Sequence, residues 1–457
     1  MPRSAKVARG HDFSGSTTSG LAEVEACGEN RIALNSAAVD PGDAATHWWD
    51  EVDRSLLLIV GVAFTVRLAW LLYARPVPVT DFEVHRGMAV SLADTFSYPP
   101  TADRLPVYIV FLGGAALISS SALWLGFVNV MLSTATCLGV YFLGREVFAE
   151  RRPALVAAWV CALAPPLVVF SAVLATENLF ALLMVLALIA AFRASSGSRA
   201  AGIGTGVLLG LAILTRGEAI FYIPVVAAIV VFGTAPRRQR SWVLATTGLM
   251  LVAVAALVVP WYVRNTTVVA SDVGLSSTTG LNLYLGHNPN AYGWAALEVG
   301  PLAGLDPVAM NRLGAELARE YVLENPGSLI RSAIEGTAHL GAPPTYAVLW
   351  STRSGAIVGG EYAADSLPGL RTIDLGVAAV GTVLLVTGLL AFVGIRDWPR
   401  RMVLLIPSLM VAGWVGHALV FYARARYRHF LDVVLTLAVA FVILKLFDRA
   451  GRSDEVS

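Results

Sequence analysis

Charge is what this sequence has little of. Only 14% of its 457 residues are charged, and 56% are apolar. A soluble domain carries about 25% charged residues. The deficit argues against a soluble globule and for a chain that crosses a membrane many times. No basic domain is present to hold a phosphate backbone, so nucleic acid is not an expected partner. Cysteine is scarce too. The three cysteines have no metal-ligand spacing and form no disulfide framework. Cys27 lies in a polar tail, while Cys137 and Cys161 fall inside apolar runs and read as small buried hydrophobes. No short apolar run with a cleavage site precedes residues 55–74, so no removable signal peptide is expected there and that stretch reads as a permanent anchor. Residues 1–50 are polar, small and aperiodic, which predicts a disordered tail.

Apolar stretches are abundant. A span needs about 20 apolar residues, and about ten candidates lie near 55–74, 122–144, 153–171, 177–193, 200–216, 219–233, 242–262, 372–395, 402–421 and 428–447. The sequence therefore predicts an all-α polytopic membrane protein. Residues 105–119 are apolar but short, which favours an interfacial or re-entrant helix. If that stretch does not cross, Arg145/Arg151/Arg152, Arg193/Arg199, Arg237/Arg238/Arg240, Arg396/Arg400/Arg401 and Lys445/Arg449/Arg452 all fall on one side, together with the N-terminal tail. Lys and Arg collect in short cytoplasmic loops, so both termini are expected in the cytoplasm. The expected organisation is a tail (1–50), an N-terminal transmembrane module (51–262) with an outer loop (75–121), an extracytoplasmic segment (263–371), C-terminal helices (372–447) and a short cytoplasmic tail (448–457). Within the outer segment, 307–324 has helical apolar spacing between Pro307 and Asn325-Pro326, and 327–341 reads as a second amphipathic helix.

The outer loop concentrates chemistry. Residues 76–108 hold Asp81, Glu83, His85, Arg86, Asp94, Asp103 and Arg104 beside the membrane. A carboxylate such as Asp81 can take a proton from an attacking hydroxyl; it can equally cap a helix beginning near Phe82. Glu83 could be a second acid or a metal ligand. His85 falls one helical turn beyond Asp81, and a lone His is usually structural. Outer basic residues oppose the charge bias that set the topology. Arg424, Arg426 and Arg428 precede the last span, and Arg216 and Arg264 end earlier ones. Arginine's planar fork suits the phosphate of an anionic lipid, whereas snorkelling at helix ends is the plainer account. Glu177 begins a span as a site residue or as a charge partner of the helix N-terminus. One or two carboxylates beside several arginines at lipid level suit group transfer from a lipid phosphate: cations stabilise the leaving phosphate.

With those residues in view, the sequence resembles the bacterial membrane glycosyltransferases related to protein O-mannosyltransferases and the lipid A aminoarabinose transferase, which share the GT-C fold. The resemblance covers most of 55–447 and rests on order: a span and loop with an early Asp (Asp81), then Arg104, Pro106 and Tyr108, Thr176-Glu177, GLAILTR ending at Arg216, PWYVRN (260–265), GLNLYLGHNP (280–289) and a late RYR (426–428). It implies inverting transfer of a sugar from a polyprenyl-phosphate donor on the outer face of the plasma membrane, to a glycan, lipid or protein acceptor. It implies Asp81 as the catalytic carboxylate, with Glu83 beside it. Arg104 and Arg216 are implied to hold the donor phosphate, with Arg264, Arg424, Arg426 and Arg428 in support. His85, Tyr108, Glu177 and Asn282 are expected in the substrate pocket. Many relatives carry adjacent Asp-Glu where this chain has Asp81-Phe82-Glu83, and a divalent metal ion is left open. The competing reading is a polytopic transporter or lipid flippase, whose ionisable groups belong at mid-membrane. Pro165-Pro166 is the helix interruption that speaks for it, and Arg67 is a charge inside the first span. A non-catalytic scaffold is a third reading.

Overall fold

The computed structural model describes residues 54–454 except 79, 234–239, 270–271, 291–298, 345, 352–368 and 396. The expected N-terminal tail therefore lies outside the described residues, as do Cys27, Arg237, Arg238 and Arg396.

All regular structure among the described residues is helical. The chain runs through α1 (Arg54–Ala74), α2 (Asp81–Thr95), α3 (Pro106–Ala116), α4 (Ala122–Phe148), α5 (Arg151–Leu163), α6 (Pro165–Phe170), α7 (Thr176–Ser195) and α8 (Arg199–Ile213). A 3-10 segment, Gly217–Tyr222, leads into α9 (Ile223–Phe232), followed by α10 (Arg240–Val269). The segment after it holds α11 (Thr279–Gly286), α12 (Pro307–Glu324), α13 (Ser328–Gly341) and α14 (Tyr346–Ser351). Three long elements close the chain: α15 (Leu370–Gly394), α16 (Arg400–Trp414) with its π-helical extension Val415–Val420, and a 3-10 turn Ala425–Arg428 leading into α17 (His429–Asp454).

Seven helices among the described residues are long and apolar enough to cross a membrane. They are α1, α4, α7, α10, α15, α16 with its extension, and α17 with its leading turn. The molecule is a multi-pass membrane protein. Three of the expected spans are built differently. Residues 200–216 and 219–233 form shorter apolar helices, and 153–171 is bent between α5 and α6.

The bend has a direct cause. Pro165 and Pro166 carry no N–H, so the carbonyls four residues earlier, Cys161 and Ala162, lose their helical donors. Arg67 of α1, fully buried, donates to both, at 3.0 and 2.8 Å, and its Nε reaches Ser133 Oγ at 2.9 Å. The charge inside the first span thus serves the orphaned end of α5, where the helix dipole is negative.

Contacts set the direction of each helix. Arg67 meets Ser133, and Leu71 meets Gly126, so α1 and α4 are antiparallel. The chain between them leaves and re-enters the bundle at one end. This is the arrangement predicted if 105–119 does not cross. Gly139 packs on Val185 and Glu146 pairs with Arg193, so α4 and α7 are parallel. In α8, Gly202, Gly206 and Gly210 face Thr246, Met250 and Val254 of α10. Small residues every fourth position let two parallel helices approach closely. At one end of the bundle Glu146 pairs with Arg193 at 3.0 Å and with Arg401 at 3.7 Å, and Arg401 donates to the Gly233 carbonyl. Arg193 and Arg401 thus lie at the same end of the bundle.

The opposite end carries the loop 75–121 and the segment after α10. Ser277 donates from its backbone to Ala102 O and from its hydroxyl to Asp103 Oδ1, at 2.9 and 2.6 Å. His287 donates from Nε2 to the Val420 carbonyl at 2.9 Å. These two stretches therefore pack on one another and on the end of α16.

Candidate active site

Asp81 opens α2 at that end. Thr80 precedes it at φ 51° and makes no side-chain cap, a backbone conformation that costs a β-branched residue about 1–3 kcal/mol. Asp81 does not cap the helix. Its Oδ1 accepts from Arg104 Nη2 at 2.8 Å and its Oδ2 from Arg426 Nη2 at 3.4 Å. Burial raises the carboxyl pKa, but Arg104 and Arg426 more than offset it, so Asp81 is held below the ordinary value of 3.8. Both arginines keep a buried Nε with no hydrogen-bond partner among the described residues. Each therefore has an N–H not used in a hydrogen bond here, that of Arg426 facing Glu177 Oε1 at 3.9 Å.

A second carboxylate layer lies behind. Glu177, at the start of α7, is 2.8 Å from Arg216 Nη1 and 3.9 Å from Arg426 Nε. Arg216 is held by two carboxylates and a hydroxyl. Its Nε and Nη2 fork onto Glu218 at 2.5 and 3.0 Å, and its Nη1 also donates to Thr176 Oγ1 at 2.9 Å. Glu218 in turn lies 3.6 Å from His417 Nε2 in the π-helical stretch. Tyr427 completes the assembly. His417 stacks on its ring at 5.0 Å, and the guanidinium groups of Arg216 and Arg426 lie 5.3 and 5.2 Å from its centre. Such contacts favour cations electrostatically.

The remaining expected residues fall in different places. His85 is buried one turn along α2, and its Nδ1 donates to the Leu174 carbonyl at 3.1 Å. Because a carbonyl can only accept, the ring is the Nδ1–H tautomer when neutral. Burial, and then Arg104, pull its pKa down to about 4. Tyr108 packs against His85 at 5.4 Å and donates to Asn129 Oδ1 at 2.9 Å. Glu83 turns aside to pair with Arg86 at 2.6 Å. Arg264 is spent on the loop that carries Arg104: it donates to the Pro99 and Thr101 carbonyls, both at 2.6 Å, and lies over Tyr98 and Trp261. Arg428 is buried among the Leu340 and Ala342 carbonyls and Asp432. Arg424 lies over Tyr422, and Asn282 is half-buried on α11. The structure thus joins Asp81, Arg104, Glu177, Arg216 and Arg426, and places Glu83, Arg264 and Arg428 on other partners.

Glu218, His417 and Tyr427 were not singled out from the sequence. Glu218 stands two residues beyond Arg216 in LTRGE, and Tyr427 between two arginines, so a charge paired with a neighbouring charge was the available signal. His417 sits in an apolar run and gave none. Among the described residues no three His, Cys, Asp or Glu side chains converge as metal ligands. Asp81 faces arginines and Glu83 pairs with Arg86, so these residues do not fit a resident metal ion, and no step here is routed through one.

Residues 103–263 match the family model described as dolichyl-phosphate-mannose-protein mannosyltransferase. The match includes Arg104, Glu177, Arg216 and Glu218, while Asp81 and Arg426 lie outside it. No curated protein matches the sequence. Among solved structures, the apo oligosaccharyltransferase of Archaeoglobus fulgidus aligns at 15% identity and TM-score 0.49, covering 91% of this chain and 52% of its own. The chain thus spans about half the length of that archaeal protein. ArnT from Cupriavidus metallidurans bound to undecaprenyl phosphate aligns at 17% identity and TM-score 0.42, covering 84% of this chain and 77% of its own. The chain is a multi-pass membrane protein that is similar, over residues 103–263, to the family described as dolichyl-phosphate-mannose-protein mannosyltransferase.

Proposed function

We propose that the chain transfers a sugar, with inversion, from a polyprenyl-phosphate donor to an acceptor hydroxyl. The observation that carries this reading is Asp81 held between Arg104 and Arg426 at one end of a helical bundle. The donor phosphate takes those two guanidinium groups from Asp81. Freed of them, the carboxylate loses the interactions that depress its pKa and becomes a better base. It then removes the acceptor proton as the acceptor oxygen attacks the anomeric carbon from the face opposite the phosphate. The bond from that carbon to the phosphate oxygen breaks, and polyprenyl phosphate leaves with the electron pair, its charge met by the arginines. No protein acid is needed for the leaving group.

Each nitrogen of Arg216 is already engaged by Glu218, Thr176 or Glu177. Its role in the reading is to hold Glu177, which faces Arg426. Glu83, Arg264 and Arg428 act through structure: the first on α2, the second on the loop carrying Arg104, the third beside Arg426. In this reading His85 and Tyr108 back the Asp81 helix from within the bundle, and Asn282 and Arg424 belong to the substrate side.

The bundle is read as a GT-C arrangement of about ten crossings, counting the three shorter or bent ones. The termini lie in the cytoplasm of a cell bounded by this plasma membrane, and the site lies on the outer face. Supporting this orientation, Arg193 and Arg401 gather at the end opposite Asp81. The acceptor class, whether glycan, lipid or protein, is set by the outer segment 263–371. The transporter reading loses its footing at Pro165-Pro166, because Arg67 fills that break.

The test follows label from a panel of radiolabelled polyprenyl-phosphate sugars in lipid-reconstituted protein, for wild type and Asp81→Asn. Loss of a general base costs about 10²–10⁴ in rate. Consumption of one donor that falls by that factor in the variant supports the reading. Equal turnover in the two proteins removes Asp81 from the chemistry, and labelled lipid moving between leaflets without consumption favours transport.

A further inference from the structure

The amphipathic helix α13 has two working sides. Its inner side packs on the element that carries Tyr427 and Arg426. A Cβ at Gly336 would come within 2.8 Å of Ala418 Cα, so only a glycine admits this approach. Leu340 joins Ala418, Ala423, Trp414 and Tyr427 in a small apolar cluster separate from the main core. The Leu340 and Ala342 carbonyls at the end of α13 receive Arg428, two residues from Arg426.

The other side is left exposed among the described residues. Ile330 and Ile334 are 67% and 66% exposed. With Thr337 they recur at the four- and three-residue spacing of one helix edge. That edge is continuous with the membrane-crossing surface of α16. Thr337 Oγ1 accepts from Trp414 Nε1 at 2.7 Å, and Val411, one turn before Trp414, is 60% exposed on a helix that crosses the bilayer. A tryptophan near the site end of a span, beside an edge that carries two exposed isoleucines, is the pattern of an interfacial surface. The polar flank beside it is self-neutralised, because Arg331 pairs with Glu335 at 3.0 Å. That pairing disfavours a charged protein partner.

We propose that α13 is a membrane-seated lever: Ile330 and Ile334 enter the lipid surface at the site end of the bundle, and the helix fixes the position of Tyr427 and Arg426 through Gly336, Leu340 and Arg428. The bilayer is then a binding partner of the catalytic end, and the lever sets how well the donor is held. The second half of this inference rests on the donor-binding reading of Arg426, and the first half does not.

The test uses full-length protein with Ile334→Cys in a Cys27→Ser background, labelled with a polarity-sensitive fluorophore and placed in phospholipid nanodiscs. Cys137 and Cys161 are buried and do not compete for the label. The expected result is a blue-shifted emission, quenched severalfold more by a lipid carrying a shallow nitroxide than by aqueous iodide. Quenching by iodide overturns the proposal, since the edge then faces water. Quenching by neither overturns it as well, since another protein surface then covers the edge. For the coupling, Ile330→Glu with Ile334→Glu is expected to raise the donor KM severalfold with kcat little changed, and Ile330→Leu with Ile334→Leu to restore it. An unchanged KM in a folded double-Glu protein sinks the lever while leaving lipid contact intact. The quenching result needs no donor, so it stands or falls apart from the proposed activity.

Discussion

Arg67→Met is the change whose consequence can be worked most closely from the structure. Methionine fills most of the volume but returns the Cys161 and Ala162 carbonyls to the unsatisfied state created by Pro165 and Pro166. A buried acceptor left without a donor costs about 1–3 kcal/mol, so two give roughly 2–6 kcal/mol. Hydrogen bonds between membrane helices average nearer 0.6 kcal/mol in measured cycles, and removing a buried charge returns part of the loss. The net expectation is therefore in the lower half, about 2–3 kcal/mol. The assay is unfolding of purified protein by titrated denaturing detergent, comparing wild type, Arg67→Met, the double change Pro165→Ala/Pro166→Ala, and all three together. Alanine restores a backbone N–H at both positions. Arg67→Met should then cost clearly less in the alanine background than in wild type, because the two carbonyls have donors of their own. An equal cost in both backgrounds refutes the reasoning: the arginine would then act through something other than the orphaned end of α5.

Other outcomes follow from single observations. His85 has a folded pKa of about 4 against 6.5 when unperturbed, so its contribution is present above about pH 6.5 and lost as pH falls toward 4. The difference is worth roughly 3 kcal/mol at the lower limit, and His85→Gln should flatten the pH dependence of unfolding over that window. Asp81, held below 3.8 in the free protein, should give donor-free enzyme no loss of the charged base at any pH above about 4; an acid limb of kcat/KM near neutrality that vanishes in Asp81→Asn would contradict this. Gly206→Val should cost several kcal/mol by separating α8 from α10, because a side chain there overlaps the Met250 carbonyl, and intramolecular crosslinking between the two helices should fall. Arg264→Lys keeps the charge but loses the fork onto Pro99 and Thr101, so donor KM should rise even though Arg264 touches no donor in this arrangement.

Much of the architecture was legible in composition and pattern. A long apolar run must bury its own backbone hydrogen bonds in lipid, and the helix is the local way to do so; the seven long crossings follow from that. Counting arginines along the chain led to the expectation that 105–119 does not cross, and the antiparallel packing of α1 and α4 is compatible with it. Asp81, Arg104, Arg216 and Arg426 stood out because charge beside a membrane is costly and needs a reason.

Partnership was not legible. Three arginines placed together by sequence logic went to different uses: Arg426 to Asp81, Arg428 to the carbonyls of α13, and Arg264 to the loop before α3. Hydrogen-bond reach is a matter of a few ångströms, and residues more than a hundred positions apart meet within it only after the helices pack. Sequence by itself determined that this is a helical membrane protein with its charge kept to the helix ends and loops, because hydrophobicity and charge act on each segment locally. Which carboxylate faces which guanidinium, and why an arginine can sit inside the first span, was decided by tertiary structure alone, because those pairings depend on distances that the order of residues does not contain.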